Sequence, residues 1–430
     1  MDLSQLREGL TQLGAHEPLG SLYGDDYDVI ETQMERYGRL VEQFARQFPA
    51  TETGISLFSA PGRTEISGNH TDHNNGRVLA AAINLDTIAV AAPTADGIVT
   101  VHSEGYEKPF VVDTRELKAR GDEKGTSNAL IRGVAARLAE RGFGIGGFQA
   151  CVTSDVAVGS GLSSSAAFEV LIGAILNHFY NGGGIEPREI ALAGRHAENH
   201  FFGKPSGLMD QMTSAVGGFV MIDFANPTDP QVQQVRFDLE AHGLALVVTN
   251  TGGSHADLTP EYASVQREMQ AVAKALGAEA LRQVSREQLL ERLSELRSQV
   301  GDRAILRAIH YFEENERVAE QLAALAADDT ERFLAMVNAS GQSSWTLLQN
   351  CYVPGSVEQG ITLGLALSRL VVTASVACRV HGGGFAGTIL AVTPQYALSE
   401  YVDLMETAFG KGAAQVLRVR QVGATRIEFA

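Results

Sequence analysis

Cysteine is scarce: Cys151, Cys351 and Cys378 are the only three in 430 residues, and none belongs to a CxxC pair. That excludes a disulfide framework and fits a reducing compartment. No run of about 18 apolar residues occurs, and no basic start leads into an apolar stretch, so neither a membrane span nor a secretion signal is expected. Positive charge is also short. The 34 Lys and Arg face 51 Asp and Glu, for a net charge of -17, and no basic block offsets it. Such a chain does not attract nucleic acid or an anionic membrane, and any polyanionic ligand must be held by local groups. Internal repeats and low-complexity tracts are absent too. What is present is ordinary for a globular protein, 44% hydrophobic and 20% charged with 45 glycines. The length exceeds what one hydrophobic core usually organises. Two domains are therefore expected, residues 1–235 and 236–430, with a cleft between them. The expectation is a soluble, cytoplasmic, unprocessed monomer.

Residues Tyr27 to Phe48 repeat Ile30, Met34, Tyr37, Leu40, Val41 and Phe44 at three- and four-residue steps, which predicts an amphipathic helix. From Ile55 to Pro93, the short apolar runs ISLFSAP, RVLAAAI and TIAVAAP suit buried strands, broken by the polar loop GRTEISGNHTDHNN. A second strand, FQACVTSDV, enters the glycine- and serine-rich GSGLSSS and leaves into the apolar helix AAFEVLIGAILNHFY. Helix signals recur at Pro187–Phe202 and Pro260–Leu276 and continue in charged helices through Ala326; LALVVTN, ACRVHGGGFAGTILAVTP and the closing VLRVRQV read as strands. Strands and helices alternate without one βαβ period, which predicts α+β layers rather than a Rossmann sheet or a TIM barrel.

Four segments carry chemistry. In VAVGSGLSSSAAFEV, Gly159, Gly161 and three serines stand directly before a helix, so free backbone N–H groups converge at its N-terminus. That is an anion site, and a serine hydroxyl there can also ligate Mg²⁺; no Walker lysine is present. By itself the string also reads as a serine-capped helix after a flexible turn. The segment APGRTEISGNHTDHNNG concentrates Arg63, Glu65, Asn69, His70, Asp72 and Asn74, a set of donors and acceptors suited to a hydroxyl-rich ligand. HTDH lacks the spacing of a zinc helix. HAENHFFGKPSGLMDQ sets Glu198 and Asp210 on either side of a Gly/Pro turn, one carboxylate for a metal and one for a substrate hydroxyl, although Glu198 also reads as a solvated helix charge. RVHGGGFAG is a glycine loop at a strand end, read either as a tight turn or as backbone packed close to phosphates.

In this order the four segments resemble the galactokinases of the GHMP small-molecule kinase superfamily. APGRTEISGNHTDHNNG is similar to the signature whose usual form is GRxNxIGEHTDYNxG, GSGLSSSAA to the superfamily phosphate loop, and HGGGFAG to its third motif. GLMDQ points to the sugar-1-kinase branch. The resemblance implies two α+β domains with the active site in the inter-domain cleft, and ATP-dependent phosphorylation of the anomeric hydroxyl of galactose. It implies Asp210 as the catalytic carboxylate and Arg63 as its partner. Asn69, His70, Asp72, Gly207 and Tyr262 fall at sugar-holding positions. Gly159, Ser160, Gly161, Leu162, Ser163, Ser164 and Ser165 fall at ATP-binding ones. Mg²⁺ is implied at Ser165, or at its neighbours Ser163 and Ser164, together with Glu198.

Of the departures from the usual pattern, four weigh on these assignments. Asn69 replaces a glutamate, His73 a tyrosine, Ala157 a proline and Ala386 a glycine. Asn69 exchanges a sugar-facing acceptor for a neutral donor and acceptor, and is expected to change how the sugar is read near its 6-position. Galacturonate, N-acetylgalactosamine or arabinose are the alternative substrates. A non-catalytic galactose and ATP sensor is the alternative of another class, against which the intact Arg63, Asp210 and GLSSSAA argue.

Overall fold

The computed structural model describes residues 1–11, 16–157, 161–253, 258–371 and 376–429. Its strands are β1 (Ser56–Ser67), β2 (Arg77–Thr94), β3 (Ile98–Ser103), β4 (Phe110–Asp113), β5 (Gly147–Ser154), β6 (Phe219–Asp223), β7 (Gln231–Val235), β8 (Leu244–Asn250), β9 (Ala377–His381), β10 (Thr388–Pro394), β11 (Ala414–Leu417) and β12 (Thr425–Ile427). The chain forms two compact units. The first holds Met1–Arg63, Ala82–Gly218 and Arg420–Ala430, the second Thr64–Ala81 and Phe219–Val419. A single boundary after residue 235 is thus not what the packing gives. β1 and β2 each change unit partway along, and residues 420–430 return to the first.

In the first unit the strand order is β12-β1-β2-β5-β3-β4, antiparallel where β12 meets β1, β2 meets β5 and β3 meets β4, and parallel between β3 and β5. The helix Tyr27–Gln47 forms as the spacing predicts. Asp26 caps it, accepting from the backbone N–H groups of Asp28 and Val29. Its apolar stripe of Ile30, Tyr37, Leu40 and Phe44 packs with Leu57 and Val90 of the sheet. Helices Ser127–Glu140, Ser164–Asn181, Pro187–Ala197 and Met209–Val216 pack on one another. Beneath the long helix, Asp86 is fully buried and accepts from Tyr23 Oη (2.6 Å), Arg36 Nη1 (2.7 Å), Ser59 Oγ and Arg420 Nη1 (3.2 Å). A buried carboxylate without such partners costs several kcal/mol, roughly 3–5 on loss of one ionic partner.

In the second unit, β11-β8-β10-β9 form an antiparallel sheet with Leu390 opposite both Val248 and Arg379. The 77–81 stretch of β2 pairs with β6, and β6 with β7. Its longer helices are Thr259–Ala275, Asp302–Ala326, Thr330–Ser343, Gly360–Val371 and Leu398–Phe409. The mixture of helices and sheets agrees with the α+β expectation. Among the described residues no helix is long and apolar enough to cross a membrane.

Two strand expectations need correcting. GRTEIS, expected in a loop, is the end of β1, because its polar side chains Thr64, Glu65 and Ser67 are buried with partners rather than solvated. The closing VLRVRQV is not one strand. The strand β11 ends at Leu417, Val419 makes a lone bridge, and a strand resumes at Thr425 in β12. Between them Arg420 turns its guanidinium inward, donating to Val422 O and Gly423 O as well as to Ser59.

Candidate active site

The first unit brings Arg63, Asp210 and the serine loop together. Arg63 Nε and Nη2 donate to Asp210 Oδ1 (2.8 Å) and Oδ2 (2.7 Å), a bidentate pair. Arg63 Nη1 donates to the Gly161 carbonyl, and its backbone N–H to Leu162 O at 3.0 Å. Glycine at 62 permits this approach, since a Cβ there would stand 2.8 Å from Leu162 O. Ser163, at φ 67°, donates from Oγ to Asp210 Oδ2. About a third of the Asp210 side chain is exposed (32%), against 12% for Arg63. Burial pushes the Asp210 pKa up, but the charge of Arg63 and the hydrogen bonds from Ser163 and Arg63 hold it below the ordinary carboxylate value. Asp210 also lies in the first turn of its helix, where the backbone dipole favours a negative charge.

The other serines diverge. Ser164 opens the helix, and Ser165 Oγ donates to Glu198 Oε1 at 3.0 Å. Glu198 is 2% exposed and starts a π-helical turn, Glu198–Phe202, that continues the helix Pro187–Ala197. Such turns re-aim side chains and recur at functional sites. Mg²⁺ takes oxygen ligands and retains waters and substrate phosphates, so a serine hydroxyl in contact with a carboxylate fits its donor set. Gly159 and Ser160 lie outside the described residues. Leu162 buries its side chain and contributes its backbone.

Three residues around Glu198 were not anticipated from sequence. Lys204 Nζ donates to Glu198 Oε1 at 2.9 Å, while Gln211 Nε2 donates to Glu198 Oε2 (3.0 Å) and Glu169 Oε2 (2.9 Å). Lys204 follows Glu198 across the same glycine turn, which is the signal that would have found it. Nothing local marks Glu169, which sits among apolar residues of its helix. Burial, followed by the charge of Glu198, raises the Glu169 pKa well above the usual range, and Glu169 Oε1 is buried with no hydrogen-bond partner among the described residues. The folded chain therefore keeps a proton that the unfolded chain releases above the ordinary carboxylate pKa. Stability then falls as pH rises through that window, by up to about 1.4 kcal/mol per unit. Glu169→Gln removes this component. In metal-free buffer its thermal midpoint relative to wild type is expected to rise as pH climbs above the ordinary carboxylate range. Parallel melting curves at all pH values would show that Glu169 is ionised in the fold.

The second unit holds His70, Asp72 and Tyr262. His70 takes φ 60° and donates from Nε2 to the Gly383 carbonyl at 2.9 Å. The Tyr262 ring stacks on it at 6.5 Å, and Tyr262 Oη donates to Gly384 O at 2.9 Å. Burial, then the neighbouring His73, bring the His70 pKa down to about 4, so the ring is neutral at physiological pH. Asp72 opens a short 3₁₀ turn, accepts from the His73 N–H (2.9 Å), and is 30% exposed. Gly207 belongs to the first unit, exposed ahead of the Asp210 helix. Asn69 departs from expectation. It is 1% exposed, and both edges of its amide are occupied by protein groups, so it offers no free edge to a ligand.

The galactokinase galactose-binding signature matches residues 42–93, and the GHMP kinases N terminal domain matches residues 129–218. The galactokinase of Glaesserella parasuis serovar 5 (strain SH0165) is 35% identical over 345 residues, 78% of this chain and 84% of that protein. The galactokinase of Streptomyces coelicolor (strain ATCC BAA-471 / A3(2) / M145) is 30% identical over 383 residues, 89% of this chain and 95% of that one. Among solved structures, Lactococcus lactis galactokinase complexed with galactose shares the fold with a TM-score of 0.74 at 24% identity, over 89% of this chain and 98% of that one. Methanococcus jannaschii mevalonate kinase shares it at a TM-score of 0.59 and 16% identity, over 84% and 98%. Kinship at this identity, running through most of both bacterial relatives, makes the chain a member of the galactokinase family.

Proposed function

We propose that the protein transfers the γ-phosphoryl group of ATP to the anomeric hydroxyl of galactose, giving galactose 1-phosphate and ADP. The observation that carries this reading is the bidentate Arg63–Asp210 pair bonded to both Gly161 and Ser163 of the phosphate loop. Phosphoryl transfer needs little covalent help. It needs the nucleophile aligned and the developing charge neutralised. In this reading Asp210 accepts a hydrogen bond from the attacking hydroxyl and orients it. Arg63 supplies a fixed positive charge beside the transferred group, and the backbone N–H groups at the start of the helix Ser164–Asn181 receive phosphate oxygens. Ser165 and Glu198 would hold Mg²⁺, which when bound would neutralise charge on the phosphates. His70, Asp72 and Tyr262 hold the sugar, with neutral His70 polarised by Gly383. The reading includes a cytoplasmic location, consistent with three buried free thiols.

The test is ATP consumption by the purified chain with Mg²⁺ against free hexoses, uronic acids, acetamido sugars and arabinose. Galactose is expected to give the highest kcat/KM, with the phosphate at C1 by NMR. A higher value for galacturonate or N-acetylgalactosamine would move the substrate. Binding of galactose and ATP without turnover would replace the kinase with a sensor.

A further inference from the structure

The carboxylate and the amide of the sugar signature have changed places in this chain. The usual form GRxNxIGEHTDYNxG has asparagine where Glu65 stands and glutamate where Asn69 stands. The two side chains touch, Asn69 Nδ2 donating to Glu65 Oε1 at 3.1 Å. Each is committed further. Glu65 Oε1 also accepts from Nη2 of the fully buried Arg379 at 2.9 Å, an ion pair. Asn69 Nδ2 donates to the Gly382 carbonyl at 2.6 Å, and Asn69 Oδ1 accepts from Asn350 Nδ2 at 2.6 Å. Asn350 Nδ2 reaches the Gly383 carbonyl as well (3.0 Å), the same carbonyl that receives His70 Nε2. An unbroken series of hydrogen bonds thus runs from Arg379 through Glu65 and Asn69 to the glycine turn that fixes His70.

A carboxylate at 69 has no proton for either Gly382 O or Glu65, and would set two negative charges together in a buried place. An amide at 65 removes the carboxylate that pairs directly with the buried Arg379 guanidinium. We propose that Glu65 and Asn69 are one mutually dependent positioning pair, which holds the Gly382–Gly383 turn and the ring of His70 in register and so sets the affinity for the sugar. Either position tolerates the usual residue only when the other changes with it. The role in sugar affinity rests on the reading that His70 holds galactose.

The experiment compares wild type, Asn69→Glu, Glu65→Asn and the double variant as full chains, measuring kcat, KM for galactose, KM for ATP and thermal midpoint. Each single change is expected to raise the galactose KM by about tenfold or more and to lower the midpoint, with the ATP KM within about twofold. The double variant is expected to return to within about fivefold of the wild-type galactose KM. A double variant as impaired as the product of the two singles overturns the pairing. Singles that lose stability while keeping the galactose KM overturn the positioning role. Should a single variant fail to fold, a folded double variant supports the pair and an unfolded one overturns it; isosteric Asn69→Asp then supplies the kinetic comparison. If the wild type does not phosphorylate galactose, the functional reading fails separately, and a double-variant midpoint above both singles still upholds the pair.

Discussion

Asp210→Asn is expected to lower kcat at least a hundredfold, the ordinary scale for removing a group that acts directly on the transferred proton or nucleophile. The substitution preserves size, and the amide oxygen still accepts from Ser163 or Arg63, so the local packing survives. What it removes is the charge. Asp210 is held ionised by Arg63 and Ser163 even as burial opposes it, and an ionised carboxylate is the acceptor an attacking hydroxyl needs. Because that pKa lies below the ordinary aspartate value, protonation of Asp210 should not limit activity until pH falls beneath the usual carboxylate range. ATP affinity and the thermal midpoint are expected to stay near wild type. A variant keeping more than about a tenth of the wild-type kcat would strip Asp210 of its role.

Gly161→Val is expected to raise the KM for ATP by at least tenfold and to lower kcat with it. Gly161 has φ 76°, where a β-branched residue is strained by roughly 1–3 kcal/mol. Its carbonyl receives Arg63 Nη1, so strain there also disturbs the catalytic pair. The valine side chain would in addition fill space that the phosphate oxygens need beside the helix N-terminus. With a net charge of -17 the chain has few cations to substitute for those N–H groups. Galactose binding, measured by calorimetry without nucleotide, should be unchanged. Equal ATP affinity in the variant would relocate the phosphate site.

The parts of this molecule that are legible in its sequence are those whose signal is local. The helix Tyr27–Gln47 declares itself by spacing and by Asp26, and the serine loop by its glycines before an apolar helix. Arg63, Asp210, Ser165 and Glu198 could be singled out because each sits in a short, dense motif. What stayed hidden depends on partners far along the chain. Thr64 meets His381, Ser67 meets Gln321 and Glu65 meets Arg379, and these distant contacts turn a polar string into the buried end of β1. Asn69 was legible as a departure, but its burial was not, since Gly382 and Asn350 lie roughly three hundred residues away. Glu169 escaped for the opposite reason. Its helix is apolar all round, and only Gln211 on another helix gives its carboxyl a purpose.

The return of residues 420–430 to the first unit has a consequence for synthesis. On the ribosome, residues 1–218 emerge early, yet β1 keeps an open edge until β12 arrives to pair Leu57 with Ile427. Asp86 waits equally long for the guanidinium of Arg420. Between those moments the whole stretch 219–419 must be translated. A nascent chain stalled shortly before residue 420 therefore carries an unpaired strand edge and a buried carboxylate lacking one of its two arginines, the kind of species that chaperones recognise and that pairs wrongly with its neighbours.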